Sequence, residues 1–341
     1  MVYRKGKVAV ATLKDVAKLA CVDVSTVSRA LNNTSYVHPD TRARIMEAVK
    51  KLGYQPNLLA KGLRQGRRST LGLVIPSIKL TIFGEIAQGI EMEARKLGYG
   101  VMICNTQDEP EQEAQCLNRL RNGFVDGIII ASTGRNGRLI RDIQASGISI
   151  LQLVRSQDKS ISSVVADYFS CAYQGVNYLI SKGCRNIGLI NGNMELNPYY
   201  ERYRGYREAM KQAGLPEYVA KPRKSHYNHY LDGFEGANYL LAQNPNIDGL
   251  LAAVDMQGIG ALRALKERGV KVPDQVKVMS LTGHSIGGML EKSMTSIEMP
   301  ALEIGIKATQ LIVADIEAPA DNKPEVQHVV FKTSLVVRET T

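Results

Sequence analysis

The sequence is short of several features, and each shortage narrows what the protein can be. No run approaches the roughly 18 consecutive apolar residues of a membrane-spanning helix, so no membrane association is expected. The start, MVYRKGKVAVATL, is basic but has neither a long apolar core nor a convincing cleavage site, which speaks against a secretory leader. The five cysteines, Cys21, Cys104, Cys116, Cys171 and Cys184, are odd in number and show no paired metal spacing. They read as reduced, mostly buried thiols of a cytoplasmic protein. His226 and His229 in HYNHY have no Cys, Asp or Glu cluster at a familiar spacing, so they read as a surface loop and no metal site is expected. There is no P-loop, and no cofactor is expected. No leucine heptad follows Glu325, which argues against a tetramer joined through a terminal helix bundle.

What is present is an ordinary composition with an uneven charge. At 341 residues, 44% hydrophobic and 22% charged, the chain is long enough for two or three domains with a sizeable core. Residues 1 to 70 hold 14 Lys or Arg against 4 Asp or Glu, whereas the other 271 hold 29 of each, so the whole net charge of +10 sits in the N-terminal fifth. A charge so localised is the electrostatic footprint expected of a phosphate-binding head on a neutral body.

Residues 12 to 32, TLKDVAKLACVDVSTVSRALN, read as a helix-turn-helix. Leu13, Val16, Ala17 and Ala20 recur at three- and four-residue spacing and form one apolar stripe on a first helix. Cys21 and Val22 make the turn, and Asp23, a good N-cap residue, opens a second helix through Asn32 with Val27, Ala30 and Leu31 inward. Its other face carries Ser25, Thr26, Ser28, Arg29 and Asn32, short hydrogen-bonding groups with one arginine, a set suited to base edges in a major groove. A third helix, about Pro39 to Leu52, closes the core through Ile45, Met46, Val49 and Leu52. A small helical domain of another kind fits the same pattern. The basic charge favours a DNA-reading module.

In residues 54 to 72, YQPNLLAKGLRQGRRSTLG, Pro56 and Asn57 are placed to start a short helix containing Leu58, Leu59, Ala60 and Leu63, followed by a polar linker. A helix so short is not stable alone in water, and Gly62 weakens it further. From Leu71 onward, apolar strands alternate with amphipathic helices, the signature of a parallel sheet covered on both faces. The rhythm restarts near Val164, giving two successive Rossmann-like lobes. Ligands of such folds sit at the carboxyl ends of the strands, which directs attention to Ser77, Ser132, Arg155, Asn191 to Asn193, Asp255 and Thr282. The body alone would suggest a periplasmic-binding-protein-like module. Expected boundaries are 1–56 for the all-α head, 57–69 for hinge and linker, and 70–341 for the body. Within the body, lobe 1 covers about 70–166 and 297–330, and lobe 2 about 167–296 with the C-terminal strand.

Over essentially its whole length the chain resembles the lactose-repressor (LacI/GalR) family of bacterial transcriptional regulators. The resemblance is carried by DVAKLACVDVSTVSRALNN, YQPNLLAKGLRQGR, GFVDGIIIAS, GCRNIGLINGN, RYRGYREAM and VDMQGIGALRAL. It implies a cytoplasmic, nucleoid-associated homodimer that binds double-stranded operator DNA under control of a small-molecule effector held between the lobes. By matching position, Lys14, Val24, Ser25 and Arg29 would face bases, while Thr12, Thr26, Asn32, Tyr36 and Thr41 would anchor phosphates. Asn57, Ala60, Leu63 and Arg64 would lie in the hinge against the minor groove, with Leu63 as a wedge between base steps. Phe83, Arg202 and Asp255 match effector-binding positions.

Departures from the family pattern are informative. Cys21 stands where a turn glycine is usual, and either strains a left-handed backbone or signals a different turn. Asp23 replaces a serine, placing a negative charge near a phosphate. SIKLTI from Ser77 replaces Asp-Ile-x-Asn-Pro-Phe, and Thr282 stands where an aspartate is common. Losing carboxylates while keeping Arg155, Arg202 and Lys79 hints at a sugar phosphate or sugar acid. A neutral sugar bound through hydroxyls and Tyr199, Tyr200 or Tyr203 is the other reading. One motif competes from a different class: Gly283-His-Ser-Ile-Gly287 matches a nucleophile elbow, with Asp315, Asp321 and His328 following in the order of a hydrolase triad. Only 54 residues follow Gly287 and no HGGG-type oxyanion segment precedes it, so a glycine-rich loop after a strand explains these residues as well, and no enzyme is expected.

Overall fold

The computed structural model describes residues 11–33, 35–54, 68–220, 228–319 and 321–341. It divides into two compact units, Met1–Arg68 and Ser69–Thr341.

Among its described residues the first unit has three helices, α1 (Leu13–Ala20), α2 (Val24–Asn32) and α3 (Pro39–Leu52). Their core is Val16, Ala17, Ala20, Val27, Ala30, Ile45 and Ala48, with Leu13, Leu31, Val49 and Leu52 packed around it. Met46, expected in this core, is 51% exposed, and Ala48 occupies the inward position instead. Thr12 and Asp15 form a reciprocal capping box at the start of α1. At the other end Cys21 adopts φ 53°, ψ 51°, and Val22 N–H bonds back to the Ala17 carbonyl at 3.1 Å. The turn therefore keeps the left-handed geometry normally given to glycine, and Cys21 carries its steric cost. Asp23 stands at the N-cap of α2, but only its carbonyl is engaged, by Thr26 and Val27 N–H; its side chain makes no cap bond.

The second unit holds two sheets. Strands β1 (Thr70–Ile75), β2 (Gly100–Asn105), β3 (Gly127–Ile130), β4 (Ser149–Leu153), β5 (Ser163–Ala166) and β11 (His328–Phe331) form an all-parallel sheet in the order β11-β5-β4-β3-β1-β2. Strands β6 (Ile187–Ile190), β7 (Tyr218–Val219), β8 (Gly249–Ala252), β9 (Lys277–Gly283), β10 (Thr295–Glu298) and β12 (Ser334–Val336) form the other, ordered β12-β10-β9-β8-β6-β7. There the edge strand β12 runs antiparallel to β10, a departure from the expected purely parallel pattern. The strand containing Val164, β5, belongs to the first sheet, so the second begins only at Ile187. The chain passes between sheets three times: after Ala166, after Glu298 and after Phe331.

Central strands are apolar on both faces because helices cover both. In the first sheet, Leu71, Leu73, Ile75 and Ile129 point to α4 (Thr81–Lys96) and α12 (Ala301–Glu317). Val74, Ile128 and Ile130 point to α5 (Pro110–Arg121) and α6 (Gly137–Ala145). In the second sheet the two cores lie under α7 (Tyr168–Ser181) and α8 (Asn197–Gln212), and under α9 (His229–Gln243) and α10 (Asp255–Glu267). These helix pairs cross through glycine. A Cβ on Gly89 would stand 2.2 Å from the Leu302 carbonyl oxygen, and one on Gly305 would stand 2.3 Å from that of Ile86. Cys171 and Cys184 are buried, and burial pushes their thiols up to about 12 and about 11. Cys104 and Cys116 are half-buried and Cys21 is exposed, so burial of the cysteines is less general than their sequence suggested. Among the described residues no helix is long and apolar enough to cross a membrane.

Two substitutions test this packing. Gly305→Ala forces a methyl against backbone, and overpacking should outweigh the helix-propensity gain, lowering the urea-unfolding free energy by about 2 kcal/mol. Cys21→Gly should do the opposite for the head, with slower hydrogen exchange in α1 and α2 equivalent to about 1 kcal/mol.

Candidate functional site

On the head, Ser25, Arg29 and Asn32 are exposed on α2, with Val24 and Thr26 half-buried beside them. Their bonds are local and readily exchanged: Arg29 Nη2 donates to Ser25 Oγ at 3.4 Å, and Asn32 Nδ2 to the Ser28 carbonyl at 2.8 Å. Lys14 is exposed on α1, and Tyr36 is 82% exposed before α3. Thr12 is exposed, its hydroxyl donating to Asp15 at 2.7 Å, and Thr41 accepts from Arg44 at 3.4 Å. Arg42 from α3 donates to the Ala30 carbonyl at 3.2 Å and to Asn33 Oδ1, fixing the end of α2. Asn57, Ala60, Leu63 and Arg64 lie outside the described residues, as does His226.

In the body, two adjoining cavities lie where the strand ends of the two sheets face each other. The larger, about 40 Å³, is lined by Leu80, Ile82, Phe83, Val154, Arg155 and Tyr168 from one side and by Pro198, Tyr199, Arg202, Val254 and Thr282 from the other. The smaller, about 10 Å³, adds Thr81, Asp255, Met256 and His284. The expected residues Phe83, Arg155, Arg202, Asp255 and Thr282 are thus brought together. Ser77 and Ser132 line neither cavity: the Ser77 hydroxyl accepts from Lys79 N–H, and the Ser132 hydroxyl is held by buried Glu113 at 3.0 Å. Tyr199 lines the larger cavity, whereas Tyr200 is exposed and Tyr203 bonds Glu217 on the outer surface.

The two arginines differ sharply. Arg155 makes a bidentate pair with Asp108, at 2.5 and 2.7 Å, and also donates to the Ser132 carbonyl, so its charge is met within the protein. Arg202 is 3% exposed and has no carboxylate partner among the described residues. Its guanidinium lies 4.7 Å from the Tyr168 ring centroid and 5.7 Å from that of Tyr199, Nη2 donates to Thr282 Oγ1, and Nε is buried without a partner. Thr282 passes its own proton to the Ala253 carbonyl at 2.7 Å. Lys79 is exposed to solvent.

Asp255 opens α10 and is 3% exposed. Burial pushes its carboxyl up to about 7, against hydrogen bonds from Ser280 and the His284 N–H that favour the charged form. Oδ2 accepts that N–H at 2.8 Å, while Oδ1 has no partner. Asn191 Oδ1 and Gln257 Oε1 nearby are also buried and unpartnered. Two groups crossing between lobes were not singled out from sequence: Glu85 of α4 accepts from His284 Nδ1 at 2.9 Å, and Arg135 meets Glu195 at 2.6 Å on the exposed rim.

The hydrolase arrangement is not assembled. His328 lies on β11 with its ring nitrogens engaged by Ser163 Oγ at 2.9 Å and the Lys159 carbonyl at 3.1 Å, whereas Ser285 starts α11 (Ser285–Gly288) after β9 and bonds Glu85. Asp315 pairs with Lys323 at 3.6 Å. Among the described residues no group of three or more His, Cys, Asp or Glu is placed to hold a metal ion.

Residues 12–57 match the family described as bacterial regulatory proteins, lacI family, and residues 68–333 match periplasmic binding proteins and sugar binding domain of LacI family. The chain is 32% identical to the ribose operon repressor of Halalkalibacterium halodurans over 97% of both sequences. Among solved structures it is similar to a transcriptional regulator CelR–cellobiose complex, with TM-score 0.72, 27% identity and coverage of 97% of this chain and 100% of that one. It shares its fold with the lac repressor dimer bound to operator and the anti-inducer ONPF, with TM-score 0.84, 23% identity, and 97% and 99% of the two chains covered.

Titration of Asp255 generates a prediction. The unfolded carboxyl releases its proton near its ordinary value and the folded one near 7, so between these pH values the folded state holds a proton the unfolded state has lost. Stability therefore falls as pH rises through that window and levels off above it. Asp255→Asn removes the slope: its unfolding free energy relative to the native chain should be about 3 kcal/mol higher at about pH 8 than at about pH 5. Equal offsets at both pH values would show an ordinary carboxylate.

Proposed function

Because the chain belongs to the LacI family of bacterial regulatory proteins, we propose that it represses a carbohydrate-related operon by binding operator DNA under control of a sugar held between its lobes. The observation that carries the effector reading is the cleft itself. It combines apolar and aromatic walls with Arg202 and Asp255, each buried with an atom left unpartnered.

Aromatic faces with a few convergent polar groups suit a carbohydrate, whose C–H faces pack on rings while its hydroxyls bond at the edges. Of the three cations that suggested an anionic effector, Arg155 is met by Asp108 and Lys79 faces solvent. That favours a neutral sugar over a sugar phosphate or sugar acid. The relatives point the same way, one named for a ribose operon and one solved with cellobiose. A cavity of about 40 Å³ has room for a few waters but not for a sugar, so the lobes must part to admit one.

On DNA, a homodimer would place α2 of each subunit in a major groove, with Lys14, Val24, Ser25 and Arg29 toward bases and Thr12, Thr26, Asn32, Tyr36 and Thr41 toward phosphates. The hinge residues Asn57, Ala60, Leu63 and Arg64 would enter the minor groove between the half-sites. A sugar that prefers one lobe angle would change operator affinity through a coupling of roughly 1–3 kcal/mol, felt reciprocally at both sites. The protein would work in the cytoplasm, on the nucleoid, as a regulator with no chemical step of its own.

The test is a titration of the full chain onto promoter DNA flanking its own gene, at fixed salt against scrambled competitor, with D-ribose, cellobiose or ribose 5-phosphate present or absent. Specific binding should appear and shift with a neutral sugar. Arg29→Ala should weaken it by about 1–3 kcal/mol without changing sugar binding, and Arg202→Ala should abolish the sugar response while operator binding persists. No preference over competitor would refute the regulator reading. A response to ribose 5-phosphate alone would refute the neutral effector.

A further inference from the structure

His284 was read in sequence only as a spacer in the GHSIG motif, yet it is the side chain on which three parts of the cleft converge. It follows β9 at the strand end, is 4% exposed, and lines the smaller cavity together with Asp255 and Thr282. Its backbone N–H holds Asp255 Oδ2 at 2.8 Å, and its ring reaches the opposite lobe, with Nδ1 2.9 Å from Glu85 Oε2. Ser285 Oγ donates to the other oxygen of Glu85 at 3.4 Å.

The chemistry of this contact assigns the ring's proton. A carboxylate only accepts, so Nδ1 carries the hydrogen that Glu85 receives. Burial disfavours a second proton on the ring, against the opposing pull of Glu85 and the more distant Glu298. Nε2 is then a bare lone pair, buried and without a partner among the described residues. A buried acceptor left unsatisfied is destabilising, and a donor arriving in the cavity would remove that penalty. The charged groups around the ring are Glu85 on α4, Asp255 on α10, Glu298 on β10, and Arg338, which pairs with Glu298 at 2.5 Å.

Resting on the effector reading of the cleft, we propose that His284 is a specificity-determining ligand contact: Nε2 accepts a hydrogen bond from a hydroxyl of the bound sugar while Nδ1–H ties the ligand-bearing lobe to Glu85 of the other. The cleft then has a polarity. At one end the ligand meets the acceptor His284 Nε2 beside the Asp255 carboxyl, and at the other it meets the donor Arg202. Neighbouring hydroxyls fit the acceptor end. A carboxylate or phosphate there sets acceptor against acceptor and is excluded. The same ring would thus touch both the ligand and the opposite lobe.

The experiment uses the full-length chain, with D-ribose and cellobiose as calorimetric probes. His284→Phe keeps the bulk and loses both nitrogens; it should weaken binding of the responding sugar about tenfold or more. His284→Gln, which restores an acceptor, should recover most of that loss. Unfolding midpoints confirm that each variant folds. In the ligand-free wild type, long-range nitrogen–proton spectra of the histidines should show His284 protonated at Nδ1, and Glu85→Ala should release that tautomer. Wild-type affinity in His284→Phe, alongside loss of binding in Arg202→Ala, overturns the His284 contact and leaves the cleft reading standing. Undiminished binding in both Arg202→Ala and Asp255→Asn overturns the cleft reading itself. A proton on Nε2 in the ligand-free protein, or failure of both sugars to bind the wild type, also overturns the proposal.

Discussion

A guanidinium keeps its proton at any physiological pH, so burying Arg202 without a carboxylate commits the second lobe to holding positive charge in a poorly polarisable place. Much of the cleft is organised around making that tolerable. Tyr168 and Tyr199 offer their negative ring faces, Thr282 accepts one N–H and relays to a backbone carbonyl, and Nε is left for whatever enters. Arg155 shows the alternative outcome in the same cavity wall. Its charge is cancelled by Asp108, and it serves to tie the end of β4 to the loop after β2. One cleft thus carries an arginine paired with an aspartate and another, Arg202, without a carboxylate partner among the described residues.

The head shows a similar division between what must be fixed and what must stay adaptable. Its core is made of small and branched apolar residues, and Arg42 secures the far end of α2. The outward groups on α2 bond to neighbours within the same helix, contacts that are given up at little cost when better partners arrive. Cys21 shows that the turn geometry outranks residue preference. The capping bonds that end α1 hold a non-glycine residue in the left-handed region.

Much of this was legible before any coordinates. The three- and four-residue spacing of Leu13, Val16, Ala17 and Ala20 gave the first helix its limits, and apolar runs such as GIII and GLLA marked strands buried on both faces. What sequence missed is the use to which a polar group is put. Strand-end reasoning located Ser132, but Glu113, arriving from a helix, consumes its hydroxyl; it located Arg155, but Asp108 sits in a loop where Gln107 and Asp108 both adopt positive φ, a conformation no periodicity announces. Met46 lies outside because the inward stripe at three- and four-residue spacing is Ile45, Ala48, Val49 and Leu52, and Met46 falls beside it. His284 is not conspicuous in the sequence, because the glycine and serine around it resemble a catalytic turn centred on the neighbouring hydroxyl.

The three passages of the chain between the two sheets have a mechanical consequence. A single tether would leave two bodies free to twist, slide and tilt. Three tethers restrain twisting and sliding more than one does. For the same reason no contiguous fragment of the body can be cut out as one complete lobe.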